Sequence, residues 1–192
     1  VSGILTSASC DVKSYTNGTL YCGTDATGSG SYTVWKNTST NTTRMESYIS
    51  ATALKNISNL ATLLTTNRNY TYDCKINFMT NVTTTGIQLG MNLSVVGLNH
   101  SGNVEMPVAV DGTGGFLHGT LTTNTTGTDY VKGTGVVVIN TNYTARMYGV
   151  VNVNGVSVLA QPVFMTEIVN TGAFVWGRSR TYCDWTDLNG IG

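Results

Sequence analysis

The chain has 192 residues, ten Lys and Arg against ten Asp and Glu, and only 10% charged side chains. Soluble domains average about 25% charged residues, and without a basic stripe there is nothing to neutralise phosphates, so nucleic acid is excluded as a partner. Hydrophobic residues reach 41%, enough for one packed domain, and no apolar run approaches the ~20 residues that span a bilayer.

The chain opens at Val1 without Met, which predicts a leader already removed and a secreted protein. The first nine residues (Val1, Ser2, Gly3, Ile4, Leu5, Thr6, Ser7, Ala8 and Ser9) carry no charged side chain. They read as extended: a first strand of their own domain, or a strand donated to a neighbouring subunit. A donated strand gains ladder hydrogen bonds and seats alternate side chains in an open core, and such head-to-tail contacts propagate filaments. The organisation is therefore a 1–9 tail followed by a 10–192 globular head.

Four cysteines follow, Cys10, Cys22, Cys74 and Cys183. An even number in a secreted chain suits two disulfides, with three pairings open. Cys10 with Cys22 would close a local hairpin, and Cys74 with Cys183 would tie the late chain to the middle. The Gly-rich stretch 23–30 lacks the Lys-Ser/Thr of a phosphate loop.

Ten Asn-x-Ser/Thr sites run along the chain, at Asn17, Asn37, Asn41, Asn56, Asn69, Asn81, Asn92, Asn99, Asn124 and Asn142. Each is a sugar acceptor in a secreted protein, so covalent N-linked glycans are expected and would supply the solubility that charge does not.

Strands are predicted at 32–36, 69–79, 86–96, 103–110, 115–122, 130–139, 144–153, 156–159, 163–169 and 173–177. The clearest is Ile87, Leu89, Met91, Leu93 and Val95, a two-residue period that buries one face and turns Asn92 outward. The same alternation sets Asn69 opposite Tyr70, Tyr72 and Cys74, and Asn142 falls in the turn before the 144–153 strand. Pro107 predicts an edge or a break in its strand. Val153-Asn154-Gly155-Val156 carries the Asn-Gly signal of a hairpin turn. From Thr43 to Thr65 the residues Ile49, Ala53, Ile57, Leu60 and Leu64 recur at helical spacing, with Thr43 and Glu46 as a capping box, which predicts one short amphipathic helix. The fold class is all-β, an Ig-like or jelly-roll-like sandwich with that helix and an extended N-terminal donor strand.

Chemistry is sparse. His100 and His118 lack zinc-site spacing and no Gly-x-Ser-x-Gly occurs, so no enzyme, no catalytic residue, no metal and no cofactor are expected. Glu105 and Glu167 are the acids considered for a sugar-cleaving pair. Asp184, Asp187 and Asn189 offer clustered oxygens for a cation, without a full calcium-loop pattern. Trp35, Trp176 and Trp185 read as core aromatics or a sugar platform. Among the lysines, Lys75 and Lys132 fall in predicted strands, where isopeptide cross-linking is conceivable.

The Val1 start, the uncharged extended tail, the Thr/Asn/Gly-rich β domain and the dense sugar sites together resemble the subunits of extracellular filaments of thermoacidophilic archaea, the thin glycosylated threads. The resemblance implies a β-rich head, Val1–Ser9 donated to the next subunit, glycans on the ten asparagines, and a role in adhesion or biofilm cohesion at the cell surface. Partners would be identical subunits head-to-tail, with other surface filaments or glycans. The long apolar N-terminal helix of type IV pilins has no counterpart here. Two other expectations are a carbohydrate-binding β-sandwich module or lectin, and a surface-layer accessory protein.

Overall fold

In the computed structural model, the described residues are 11–14, 20–23, 34–38, 45–48, 53–57, 60–96, 98–110, 113–122, 128–168, 173–176 and 181–190. They form strands β1 (Asp11–Ser14), β2 (Leu20–Gly23), β3 (Val34–Thr38), β4 (Met45–Tyr48), β5 (Lys55–Asn56), β6 (Thr62–Leu64), β7 (Arg68–Thr80), β8 (Ile87–Leu93), β9 (Asn99–Val110), β10 (Thr113–Leu121), β11 (Thr128–Lys132), β12 (Tyr143–Val153), β13 (Val158–Thr166), β14 (Ala173–Trp176) and β15 (Tyr182–Asp187), then a 3-10 turn, Leu188–Gly190. Every pairing is antiparallel.

The larger sheet runs β10-β9-β12-β7-β14-β4, with β15 also beside β7 and β3 on the far side of β15. The long strand β7 organises it: β12 lies along one edge, while β15 and β14 share the other. The smaller sheet runs β11-β8-β13-β5, with β6 also on β13. Strict alternation on β7 buries Tyr70, Tyr72, Cys74, Ile76 and Phe78. They pack with Val104 and Met106 of β9, Met147 and Val151 of β12 and Trp185 of β15 against Leu89, Met91, Val158, Ala160 and Phe164 of the other sheet. That shared apolar layer makes the fold an all-β antiparallel sandwich. At about 25 cal/mol per Å² of apolar surface, such a layer is the main stabilising term.

The disulfide Cys74–Cys183 forms across directly paired residues of β7 and β15, linking positions 109 apart in sequence. Cys10 lies outside the described residues, and Cys22 stands on β2 opposite Val12.

The expected 43–65 helix is corrected. Its described residues form β4, β5 and β6 instead, pairing with β14 and β13. In Thr62–Leu64 the outer two residues are buried and Leu63 is exposed, a period of two. Pairing to β13 satisfies these backbones and still buries Ile57, Leu60 and Leu64, so tertiary context overrides the helical spacing.

The predicted 130–139 strand ends at Lys132. Gly133 donates to the Ile87 carbonyl at 3.0 Å and Val136 to the Thr83 carbonyl at 2.9 Å. A Cβ on Gly135 would stand 1.9 Å from the Thr83 oxygen. This close crossing takes the segment out of a ladder and leaves Val137, Val138 and Ile139 exposed.

The Asn154–Gly155 turn is present, with Gly155 at φ 81°, but it does not close a hairpin. β12 pairs with β7 and β9, whereas β13 pairs with β8, β5 and β6. The turn carries the chain from one layer to the other.

Both prolines sit where a ladder lapses, as their missing N–H requires. On β9 the β12 pairing stops at Glu105, leaving Pro107 with β10 alone. On β13, Pro162 falls between the ends of β6 and β5, and its carbonyl accepts from Ile57 N–H at 2.9 Å.

Candidate functional site

The outer face of the larger sheet concentrates the charge of a chain that has little. Register places His118, Glu105, Arg146, Lys75 and Tyr182 in one cross-strand row. The next row holds Asn103, Tyr148, Asp73 and Asp184. A third holds Ser101, Val150, Thr71 and Thr186. The outward residues of β7, β9, β12 and β15 are mostly polar, with Val150 an apolar exception; a strand allots one parity to each face.

Arg146 of the first row and the whole of the second and third rows line a cleft of about 480 Å³, within the range of small-ligand sites. Arg146 spans it, donating from Nε to Asp73 Oδ1 at 2.9 Å and from Nη2 to Asp73 Oδ2 at 2.7 Å. The hydrogen bond to Asp73 raises the Arg146 pKa, and the guanidinium lies 4.7 Å over the Tyr148 ring. The Tyr148 hydroxyl donates to Glu105 Oε1 at 3.1 Å, which lifts its pKa above the ordinary phenol value. Asp184 is paired directly with Asp73, and its Oδ1 is buried without a hydrogen-bond partner.

A second hollow, of about 220 Å³, continues from the first and shares Ser101 and Val150 with it. Asn99, His100 and Asn152 complete its lining. Asn69 and Asn99, each the first residue of an Asn-x-Ser/Thr sequence, flank Asn152 in a single cross-strand row at this end of the face. Beneath lies Tyr72, whose hydroxyl shares a 2.8 Å hydrogen bond with His100 Nε2. Burial pushes the His100 pKa down, against a smaller opposing pull from Asp129, and pushes the Tyr72 pKa up.

Of the described asparagines that open Asn-x-Ser/Thr sequences, Asn56, Asn81, Asn99 and Asn142 are exposed, and Asn69 and Asn92 are half-buried at the surface. Asn92 is on the outward parity of β8 and Asn142 immediately precedes β12. Asn37 is on β3; Asn17, Asn41 and Asn124 lie outside the described residues, as does the whole of Val1–Ser9.

Several groupings that the sequence left open do not assemble. Glu105 stands on the outer face of the larger sheet, whereas Glu167 follows β13 and accepts from Gly86 N–H at 3.1 Å. Asp184 and Asp187 have opposite parity on β15. Asp187 turns inward, pairs with Arg68 and accepts from Asn189 N–H at 3.0 Å. Asn189 in turn caps Asn69 N–H at 2.5 Å, so these oxygens are structural. Trp185 is fully buried beside Tyr72, with ring centroids 5.2 Å apart, and is no sugar platform. Lys75 and Lys132 are exposed, Lys75 lying 5.8 Å over the Tyr182 ring. Among the described residues no group of three or more His, Cys, Asp or Glu is arranged to hold a metal, and no helix is long and apolar enough to cross a membrane. The cleft itself was missed from sequence: Asp73 and Arg146 are 73 residues apart, and only strand register joins them.

No known family pattern matches the chain, and no curated protein matches it. Among solved structures, it is similar to the VP2 protein of infectious bursal disease virus. A D431N mutant VP2 in T=1 particles aligns at 10% identity and a TM-score of 0.24, over 88% of this chain and 41% of that one. The Gx strain aligns at 11% identity and 0.21, over 83% and 40%. A VP2 subviral particle aligns at 11% and 0.21, over 97% and 44%. The chain thus spans less than half of each VP2 chain, and overlap this loose carries no argument about function.

Proposed function

We propose that the chain is a secreted, N-glycosylated structural subunit of a cell-surface filament, built head-to-tail by pairing of the Val1–Ser9 strand with a neighbouring head, and serving adhesion or biofilm cohesion. The observation that supports this reading most is the character of β10. It ends the larger sheet, with β9 on one side and no strand hydrogen-bonded on the other among the described residues, although Val131 of β11 packs against Gly119. Exposed edges are normally blunted by Lys, Pro, bulges or covering segments. The sequence Thr-Gly-Gly-Phe-Leu-His-Gly-Thr-Leu of β10 has no Lys, Arg, Asp, Glu or Pro, and Phe116 is 66% exposed. Nine residues of edge match the nine-residue tail in length, and neither contains Asp, Glu, Lys or Arg. The many outward acceptor asparagines fit the same reading, since glycans on the remaining surface would confine association to the bare edge.

The test is deletion of Val1–Ser9. The shortened chain should fold with an unchanged circular dichroism spectrum and form no fibres by electron microscopy. Normal fibres from the deleted protein would refute strand donation.

A further inference from the structure

We propose that the outer groove of the larger sheet is a seat for an oligosaccharide, and that the sugar it holds is the glycan carried on Asn99 of the same chain. The inference rests on the N-glycoprotein reading but not on filament assembly. The acceptor Asn99 borders the smaller hollow, whose lining includes Ser101, the third residue of its own Asn-His-Ser site. Ser101 and Val150 also line the larger cleft, so one continuous groove starts at the attachment point. At about 3.4 Å per strand residue, Asn103 in the cleft is roughly 13 Å along β9 from Asn99, which the first few sugars of a chain can cover.

The lining fits a neutral polyol. The orphaned Asp184 Oδ1 needs a donor, and an unsatisfied buried acceptor is costly; a sugar hydroxyl supplies one. Two Arg146 donors are engaged by Asp73, leaving Nη1 for a ring or hydroxyl oxygen. Asn103, Ser101, Thr71 and Thr186 each donate or accept. The neighbouring carboxylates Asp73 and Asp184 would repel an anionic ligand, and Arg146 over Asp73 opposes a bare cation.

The test is site-resolved periodate oxidation of vicinal diols on the intact glycosylated protein from its own cells, read by glycopeptide mass spectrometry. The Asn99 glycan should be oxidised about tenfold more slowly than the glycan on exposed Asn142, the factor expected from one or two retained hydrogen bonds. Asp184→Asn, nearly isosteric, and Asn103→Ala, at an exposed position, should each raise the Asn99 rate towards that of Asn142 with the melting temperature preserved. Addition of the released glycans to an Asn99→Gln protein should give saturable binding that Asp184→Asn weakens. A bare Asn99 in the native protein, equal rates at the two sites, or protection indifferent to Asp184→Asn and Asn103→Ala would each overturn the proposal. Saturable binding of unrelated free saccharides alone, with Asn99 unprotected, would overturn the assignment of the sugar's source. None of these outcomes touches fibre formation, which is read separately.

Discussion

Replacing Gly102 by Ala should strike the centre of the fold through a single atom. Gly102 of β9 faces Gly149 of β12, and Gly149 faces Tyr72 of β7. The Tyr72 ring passes beneath both glycines to reach His100. A Cβ at position 102 would stand 2.2 Å from the Tyr72 hydroxyl and 3.0 Å from the Tyr148 carbonyl. Tyr72 is 3% exposed and packs against Trp185, so it has little room to retreat. Overpacking of this kind costs about 1–3 kcal/mol. Loss of the Tyr72–His100 bond strands two buried polar groups and adds about 1–3 kcal/mol. The sum, about 2–6 kcal/mol, corresponds to a fall in melting temperature of roughly 4–24 °C for a chain of this size. Urea or thermal unfolding of Gly102→Ala measures it. Tyr72→Phe removes the offending oxygen and leaves the next Tyr72 atom, Cζ, at 3.3 Å. In that background Gly102→Ala should cost under about 1 kcal/mol, a coupling that a double-mutant cycle reads directly. An equal cost in both backgrounds, or no cost in the wild type, would refute the steric account.

The Cys74–Cys183 bridge closes a long loop; its removal as Cys74→Ala/Cys183→Ala should lower stability by about 3–5 kcal/mol, measured by denaturant titration. Burial depresses the His100 pKa, so the folded state holds fewer protons there than the unfolded state. Its stabilising effect is complete above the ordinary histidine value of about 6.5 and is lost as the pH falls below it towards the depressed folded value. Unfolding measured between about pH 5 and 7 should show that decline, and His100→Gln should flatten it. Phe116→Lys adds a charge to the exposed edge of β10; melting should change by less than about 0.5 kcal/mol while fibre formation drops sharply in a sedimentation assay.

Alternation made the two faces of β7, β8 and β12 legible, because apolar residues dominate one parity of each, with Met79 and Val150 as exceptions on the other. Pro107 correctly marked a lapse in pairing. The 43–65 segment misled because Ile57, Leu60 and Leu64 satisfy helical spacing while also being buried in and between the short strands β5 and β6; nothing local distinguishes the two. The 130–139 segment misled because Gly133 and Gly135, ordinary in a strand pattern, are needed for a close crossing over Thr83 and Ile87. Asn154-Gly155 marked a turn but not its destination, since a tight reversal serves equally between paired strands or between layers. The Cys74–Cys183 pairing was one of three possible. The groove was least legible: Asp73, Asn103, Arg146 and Asp184 carry no motif, and they meet only through the registers of β7, β9, β12 and β15.

Electron cryo-microscopy of the native assembled material tests the account most directly. The expected result is a fibre in which the free edge of Thr113–Leu121 in each head is backbone-paired to Val1–Ser9 of an adjoining copy. Single heads with that edge unoccupied, or fibres joined through the charged rows of the opposite strands, would contradict it.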